Sequence, residues 1–155
     1  MRIGVVSDTP GRFDPALQRI FAGVDLIVHA GDIGRLQVID ALEAIAPVLA
    51  VEGNNDAFRR FPTERREELA GRRVLVRHIF GEPHQLRAAD TALLADLRPD
   101  VVIFGHSHRS YRGRLGETLL FNPGSAGPRR FSLPRTVGLL HLGARRIDAK
   151  IVQLD

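Results

Sequence analysis

Four short polar motifs each follow an apolar run: Ser7-Asp8, Gly31-Asp32, Gly53-Asn54-Asn55-Asp56 and Gly105-His106-Ser107-His108. A fifth group, Arg77-His78, falls within or at the end of the apolar stretch from Arg72 to Phe80. Carboxylate oxygen, amide oxygen and neutral imidazole nitrogen are together the donor set of a site for divalent first-row metals. The chain contains no cysteine, so oxygen and nitrogen must do all the ligation and no disulfide contributes. Taken singly, the motifs carry little. An aspartate after a strand commonly caps a helix or forms a turn, and Gly-Asn-Asn-Asp is ordinary turn chemistry. His29 reads as a core histidine or a partner to the site, because its strand position turns it away from Asp32. Gly105-His-Ser-His108 is the hardest to explain as packing, since an imidazole without a partner gains little from burial.

These residues are spread over about a hundred positions, so the fold must bring them together. The first half alternates strand and helix. Residues 2–7 read as a buried strand, and Asp14-Pro15 opens a helix running to about Phe21. Residues 25–30 form a second strand, and Leu36, Ile39, Leu42 and Ile45 lie on one face of a helix over 35–46. Pro47 ends that helix, and 48–52 is a third strand. Such spacing calls for parallel strands joined by right-handed crossovers. In the second half, a strand over 72–80, a helix over 86–97 and a strand over 100–104 precede short strands at 118–121, 136–142 and 146–154. The Gly-punctuated strands favour antiparallel pairing. The expected architecture is therefore α/β: a mixed sheet flanked by helices, joined to a mainly antiparallel second sheet in an α-β-β-α sandwich. Loops beyond the carboxyl ends of parallel strands share one rim, where ligands bind.

The bulk properties set limits. A chain of 155 residues, 44% hydrophobic and 26% charged, reads as a single globular domain over 1–155. No apolar run is long enough to span a bilayer, which excludes a membrane partner at this level. Met1 leads straight into a strand rather than a leader, so the expected location is cytoplasmic. The net charge of +4 is carried by scattered arginine pairs, with Lys150 the sole lysine. No aromatics alternate with them as a base-stacking surface requires, so nucleic acid is not the expected partner.

The ordered set Asp8, Gly31-Asp32, Gly53-Asn54, His78 and Gly105-His-Ser-His108 resembles the calcineurin-like metallophosphoesterases. With the short length and the Asn122-Pro-Gly-Ser125 motif, it is similar to their small YfcE-type phosphodiesterase branch. The resemblance covers residues 3 to about 126. It implies the metallo-dependent phosphatase fold, a four-layer α-β-β-α sandwich of two mixed sheets. It also implies two divalent ions (manganese, iron, nickel or zinc), with Asp32 bridging them. Asp8 and His108 would complete the first site, and Asn54, His78 and His106 the second. Asp32, Asn54 and His106 are the implied catalytic set. The expected reaction is hydrolysis of a small phosphate ester by a metal-activated hydroxide, with the cations offsetting charge on the phosphoryl oxygens.

Three positions depart from the family pattern. Asp8-Thr9-Pro10 stands where the family has Asp-x-His. Proline cannot ligate, so the first site keeps only Asp8, Asp32 and His108 and is expected to bind its metal more weakly. Asn55 replaces a histidine that assists the leaving group in many larger relatives, and Ile79 replaces a usual glycine. Arg77 and Arg130 are candidate contacts to the substrate phosphate, with surface charge the preferred reading for both. The competing reading of Pro10 is a weak or inactive member of the fold serving as a protein-interaction scaffold, as the retromer scaffold subunit does. Metal identity, natural substrate and oligomeric state are not encoded in these motifs.

Overall fold

The computed structural model describes residues 1–154. Strands β1 (Arg2–Val6), β2 (Leu26–His29) and β3 (Val48–Ala50) alternate with helices α1 (Ala16–Ile20) and α2 (Leu36–Glu43). β1 runs parallel to β2, with Ile3 opposite Leu26 and Val6 opposite His29, and β2 runs parallel to β3. These strands are continuous apolar runs because both their faces are covered. β9 (Thr136–Leu142) lies antiparallel on the other side of β1, and β10 (Ile147–Gln153) pairs with β9, giving the order β10-β9-β1-β2-β3.

The second sheet contains β4 (Glu64–Leu69), β5 (Arg72–Arg77), β6 (Val101–Ile103), β7 (Tyr111–Leu115) and β8 (Thr118–Asn122), in the order β4-β5-β6-β8-β7. Its three central strands are parallel, and only its two edges are antiparallel. α3 (Ala88–Leu97) carries the chain from β5 to β6. The four layers follow from side-chain alternation. Val74, Val76, Val101 and Ile103 point inward against Ile3, Val5, Val28 and Leu140 of the first sheet. Leu75, Val102 and Leu120 point outward to α3's Leu93, Leu94 and Leu97. On the opposite outer face, Val6, Ile27 and Val137 meet Leu17 and Phe21 of α1 and Val38, Ile39 and Leu42 of α2.

The sandwich of two mixed sheets is as expected, but the division of strands between them differs. The last two strands do not stay with the second sheet; they return to extend the first. β4 and β7 were not anticipated, because both are edge strands without apolar alternation. Glu64-Arg-Arg-Glu-Glu-Leu69 is paired to β5 through Ala70-Gly71, which both have positive φ (49° and 73°), as a two-residue hairpin turn requires. Its charges keep that edge from recruiting another strand. Among the described residues no helix is long and apolar enough to cross a membrane.

Candidate metal centre

All five motifs emerge at the same rim, beyond the carboxyl ends of β1, β2, β3, β5 and β6. Backbone bonds continue the sheets into the loops. Asp8 N–H donates to Gly31 O (3.0 Å), Thr9 N–H to Asp32 O (3.1 Å), Gly11 N–H to Ile33 O (2.7 Å) and Gly105 N–H to His78 O (3.0 Å). The last of these ties the two candidate ligand loops of the second sheet together. Eight non-glycine residues among those described have positive φ, and four of them are Asp8, Asp32, His106 and His108. Strain of this kind concentrates at functional sites, where surrounding bonds hold it in place. Two motif glycines are required for close approach. A Cβ at Gly53 would collide with Asp32 Oδ1, and one at Gly105 with Ser7 Oγ.

Asp8 Oδ1, Asp32 Oδ1 and His78 Nε2 converge at the floor of the site. His78 Nε2 lies 3.4 Å from Asp32 Oδ1 and 3.9 Å from Asp8 Oδ1, and these three residues form a group that could hold a metal ion. His108 turns Nε2 toward the same Asp8 oxygen at 3.3 Å. His78 Nδ1 is 2.7 Å from the carbonyl of Ala30, so Nδ1 must carry the hydrogen and Nε2 presents a lone pair when the ring is neutral. Asp8 Oδ1, His78 Nε2 and His108 Nδ1 are buried with no hydrogen-bond partner among the described residues. Buried acceptors facing one another without a donor are costly unless a cation or proton lies between them. The donor set therefore fits a divalent cation.

The electrostatics agree. Burial by itself would lower the His78 pKa, but the Asp32 and Asp8 carboxylates and the Ala30 carbonyl more than offset it and raise it above the usual histidine value. At 3.4 Å the His78–Asp32 approach is an ion-pair contact rather than an aligned hydrogen bond. Burial would raise the Asp32 pKa, yet His78 and the Asn55 backbone and side chain hold it below the ordinary carboxylate range.

Asn54 and His106 lie at the exposed mouth. His106 Nδ1 is 3.1 Å from Asn54 Oδ1, and its ring stands edge-on to His78 at 5.3 Å. The structure thus brings together Asp8, Asp32, Asn54, His78, His106 and His108. Two hollows flank them. One, of about 200 Å³, is lined by Asp8, Asp32, His108, Pro10, Asn55 and Arg130; the other includes Asn54, His78 and Ile79. Arg77 is engaged elsewhere, with Glu64 (3.4 Å) and the buried Asp90 (3.5 Å).

Several residues that shape the site belong to the motifs read from the sequence but had been given no role there. Asp56 accepts backbone N–H groups from Ile33 (3.0 Å), Gly34 (3.0 Å) and Gly53 (2.9 Å), binding the loop after β2 to the loop after β3. Ser7 Oγ donates to Asp8 Oδ2 at 2.7 Å, which aims the other oxygen at the floor. Asn122 holds the β6 loop through Gly105 O (3.0 Å) and Ser107 Oγ (3.2 Å). An Asp one position beyond Asn55 was the available signal for Asp56; the donors it serves are remote in sequence and leave no trace there. His29, fully buried, lies beneath the rim as expected. Thr9 Oγ1 donates to Ile33 O (2.8 Å), so it accepts from His29 Nε2 (3.0 Å), while His29 Nδ1 accepts from Gly31 N–H (3.2 Å). Thr9 is thereby withdrawn from any ligand role.

The calcineurin-like phosphoesterase superfamily domain matches residues 1–145, and the chain belongs to that family. It is 35% identical to a probable metallophosphoesterase of Methanothermobacter thermautotrophicus over 99% of this chain and 92% of that one. Among solved structures it is similar to YfcE, a phosphoesterase from E. coli (TM-score 0.66, 26% identity, 91% of this chain and 88% of that one). Vps29 of Chaetomium thermophilum shares the fold (TM-score 0.83, 18% identity, 100% of this chain and 86% of that one).

Proposed function

We propose that this protein is a metal-dependent phosphoesterase that hydrolyses small phosphodiesters at a two-cation centre, with the first of the two sites weakened by Pro10. The observation that carries this reading is the convergence of Asp8 Oδ1, Asp32 Oδ1 and the His78 Nε2 lone pair, with the Asp8 and His78 atoms buried and without a hydrogen-bond partner among the described residues. Asp8, Asp32 and His108 would hold the first ion, and Asp32, His78, Asn54 and His106 the second. Bound divalent cations supply Lewis acidity and lower the pKa of a water at neutral pH.

The protein's own groups do the rest. Asp8 and Asp32 fix the charge at the floor, and Asn55 orients Asp32 through both of its oxygens. Asn54 and His106 sit where a phosphoryl group entering from solvent would first be met. Asn55 offers an amide where a histidine would protonate a leaving group, so esters with poor leaving groups should turn over slowly, by about a hundredfold or more. Metal content of the purified protein and hydrolysis of bis(p-nitrophenyl) phosphate with added manganese test the reading. His106→Ala should abolish turnover. Absence of turnover with manganese, iron, nickel and zinc alike would refute it.

Pro10 favours a second reading, a member of the fold that has lost most of its activity and serves as an interaction scaffold. Pro10→His separates the two. A joint rise in metal occupancy and turnover marks an impaired catalyst, and no change in either favours the scaffold.

A further inference from the structure

The hollow that holds Asp8, Asp32 and His108 has carboxylates on its floor and one wall, Asp56 among them. An anionic phosphate ester entering it needs positive charge from the protein as well as from the centre below. Arg130 lines that hollow and brings a positive charge to it. It is exposed, and its guanidinium has no carboxylate partner among the described residues. Phe131 follows directly and is 96% exposed, so its ring packs on almost nothing in the protein. Its φ is +55°, a conformation that bulky residues adopt rarely and at a cost. A large apolar ring held in water on a strained backbone is not explained by folding.

The segment carrying these two residues is tethered at its base. Arg135 donates to Gly127 O (2.9 Å) and Ala126 O (3.0 Å) and pairs with Asp14 (2.5 Å), while Leu133 N–H closes a turn onto Arg130 O (3.2 Å). Tip residues on a fixed base can present groups at a set spacing. Consecutive Cα atoms lie about 3.8 Å apart, so the guanidinium and the ring can address two parts of one small molecule. A guanidinium matches phosphate oxygens, and an exposed phenyl ring matches the face of a planar heteroaromatic base.

We propose that Arg130 and Phe131 form a specificity arm that selects nucleotides, Arg130 taking the phosphate and Phe131 stacking on the base. This rests on the phosphoesterase reading and narrows its substrate class. The test measures binding of adenosine monophosphate and of inorganic phosphate to the full-length, manganese-loaded protein by calorimetry, alongside hydrolysis of bis(p-nitrophenyl) phosphate. Wild-type protein should bind adenosine monophosphate at least tenfold more tightly than phosphate. Phe131→Ala should erase that preference, weakening the nucleotide about tenfold and leaving phosphate unchanged; Arg130→Gln should weaken both to a similar degree. Equal affinity of wild-type protein for the two ligands, or a nucleotide preference that survives Phe131→Ala, overturns the arm. Loss of the phosphoesterase reading would look different: no hydrolysis of any ester, with the binding pattern intact.

Discussion

Asn55 donates its side-chain amide to Asp32 Oδ2 at 2.6 Å and its backbone N–H to Asp32 Oδ1 at 3.0 Å, so one residue orients the whole carboxylate. Oδ1 is the oxygen that faces His78 and Asp8, and the amide bond to Oδ2 is compatible with a cation on the other side. Hydrogen bonds to a charged acceptor contribute roughly 1.5–3 kcal/mol, and water replaces part of that at an exposed position. Asn55→Ala should therefore weaken manganese binding about tenfold, read by titration calorimetry. An unchanged dissociation constant would show that the amide does not position Asp32.

Cation binding should release a proton from His78. Its Nδ1 hydrogen is committed to the Ala30 carbonyl, so a proton held because of the raised pKa resides on Nε2, the atom a metal needs. Affinity should climb as pH rises toward that pKa and then level off. In the metal-free protein the stabilisation that goes with this proton is fully present below about pH 6.5 and fades as pH rises through the raised value. Calorimetry in buffers of differing ionisation enthalpy should detect the released proton, and His78→Gln should eliminate it.

His29 works in the opposite direction and in another pH window. Burial, the largest influence, pulls its pKa from 6.5 down to about 4 despite nearby carboxylates. The unfolded chain takes up this proton first, so stability should fall as pH drops from about 6.5 to 4. The loss amounts to about 3 kcal/mol when complete. Denaturant midpoints at pH 7 and pH 4.5 measure the slope. His29→Gln should flatten it between those values, and an unaltered slope would assign the acid sensitivity elsewhere.

Asp56→Ala removes the acceptor for three backbone N–H groups on two loops. Water can reach some of them, so the expected destabilisation is about 2 kcal/mol. The more telling outcome is metal affinity. With Asp32 and Asn54 no longer held in register, manganese binding should weaken even in protein that remains folded; full retention of affinity in the folded variant would reduce Asp56 to a loop-stability role.

The sequence by itself determined the residue type and the approximate place of each candidate ligand. Asp8, Asp32, Asn54, His78, His106 and His108 were legible because their side-chain types are unusual directly after apolar strands, and strand ends are a local property. Motif order carried the family. Only the tertiary structure decided which oxygen of each carboxylate faces inward and which nitrogen of His78 is free, and it alone showed that Asp56 and Asn55 do the orienting. Most of those outcomes depend on partners remote in sequence, such as Asp32 for Asn55, Ala30 for His78 and Ile33 for Asp56, and no local pattern encodes them. The edge strands β4 and β7 were missed for a related reason. A strand paired on one side and exposed to water needs no apolar alternation, so its existence is fixed by the neighbour it pairs with.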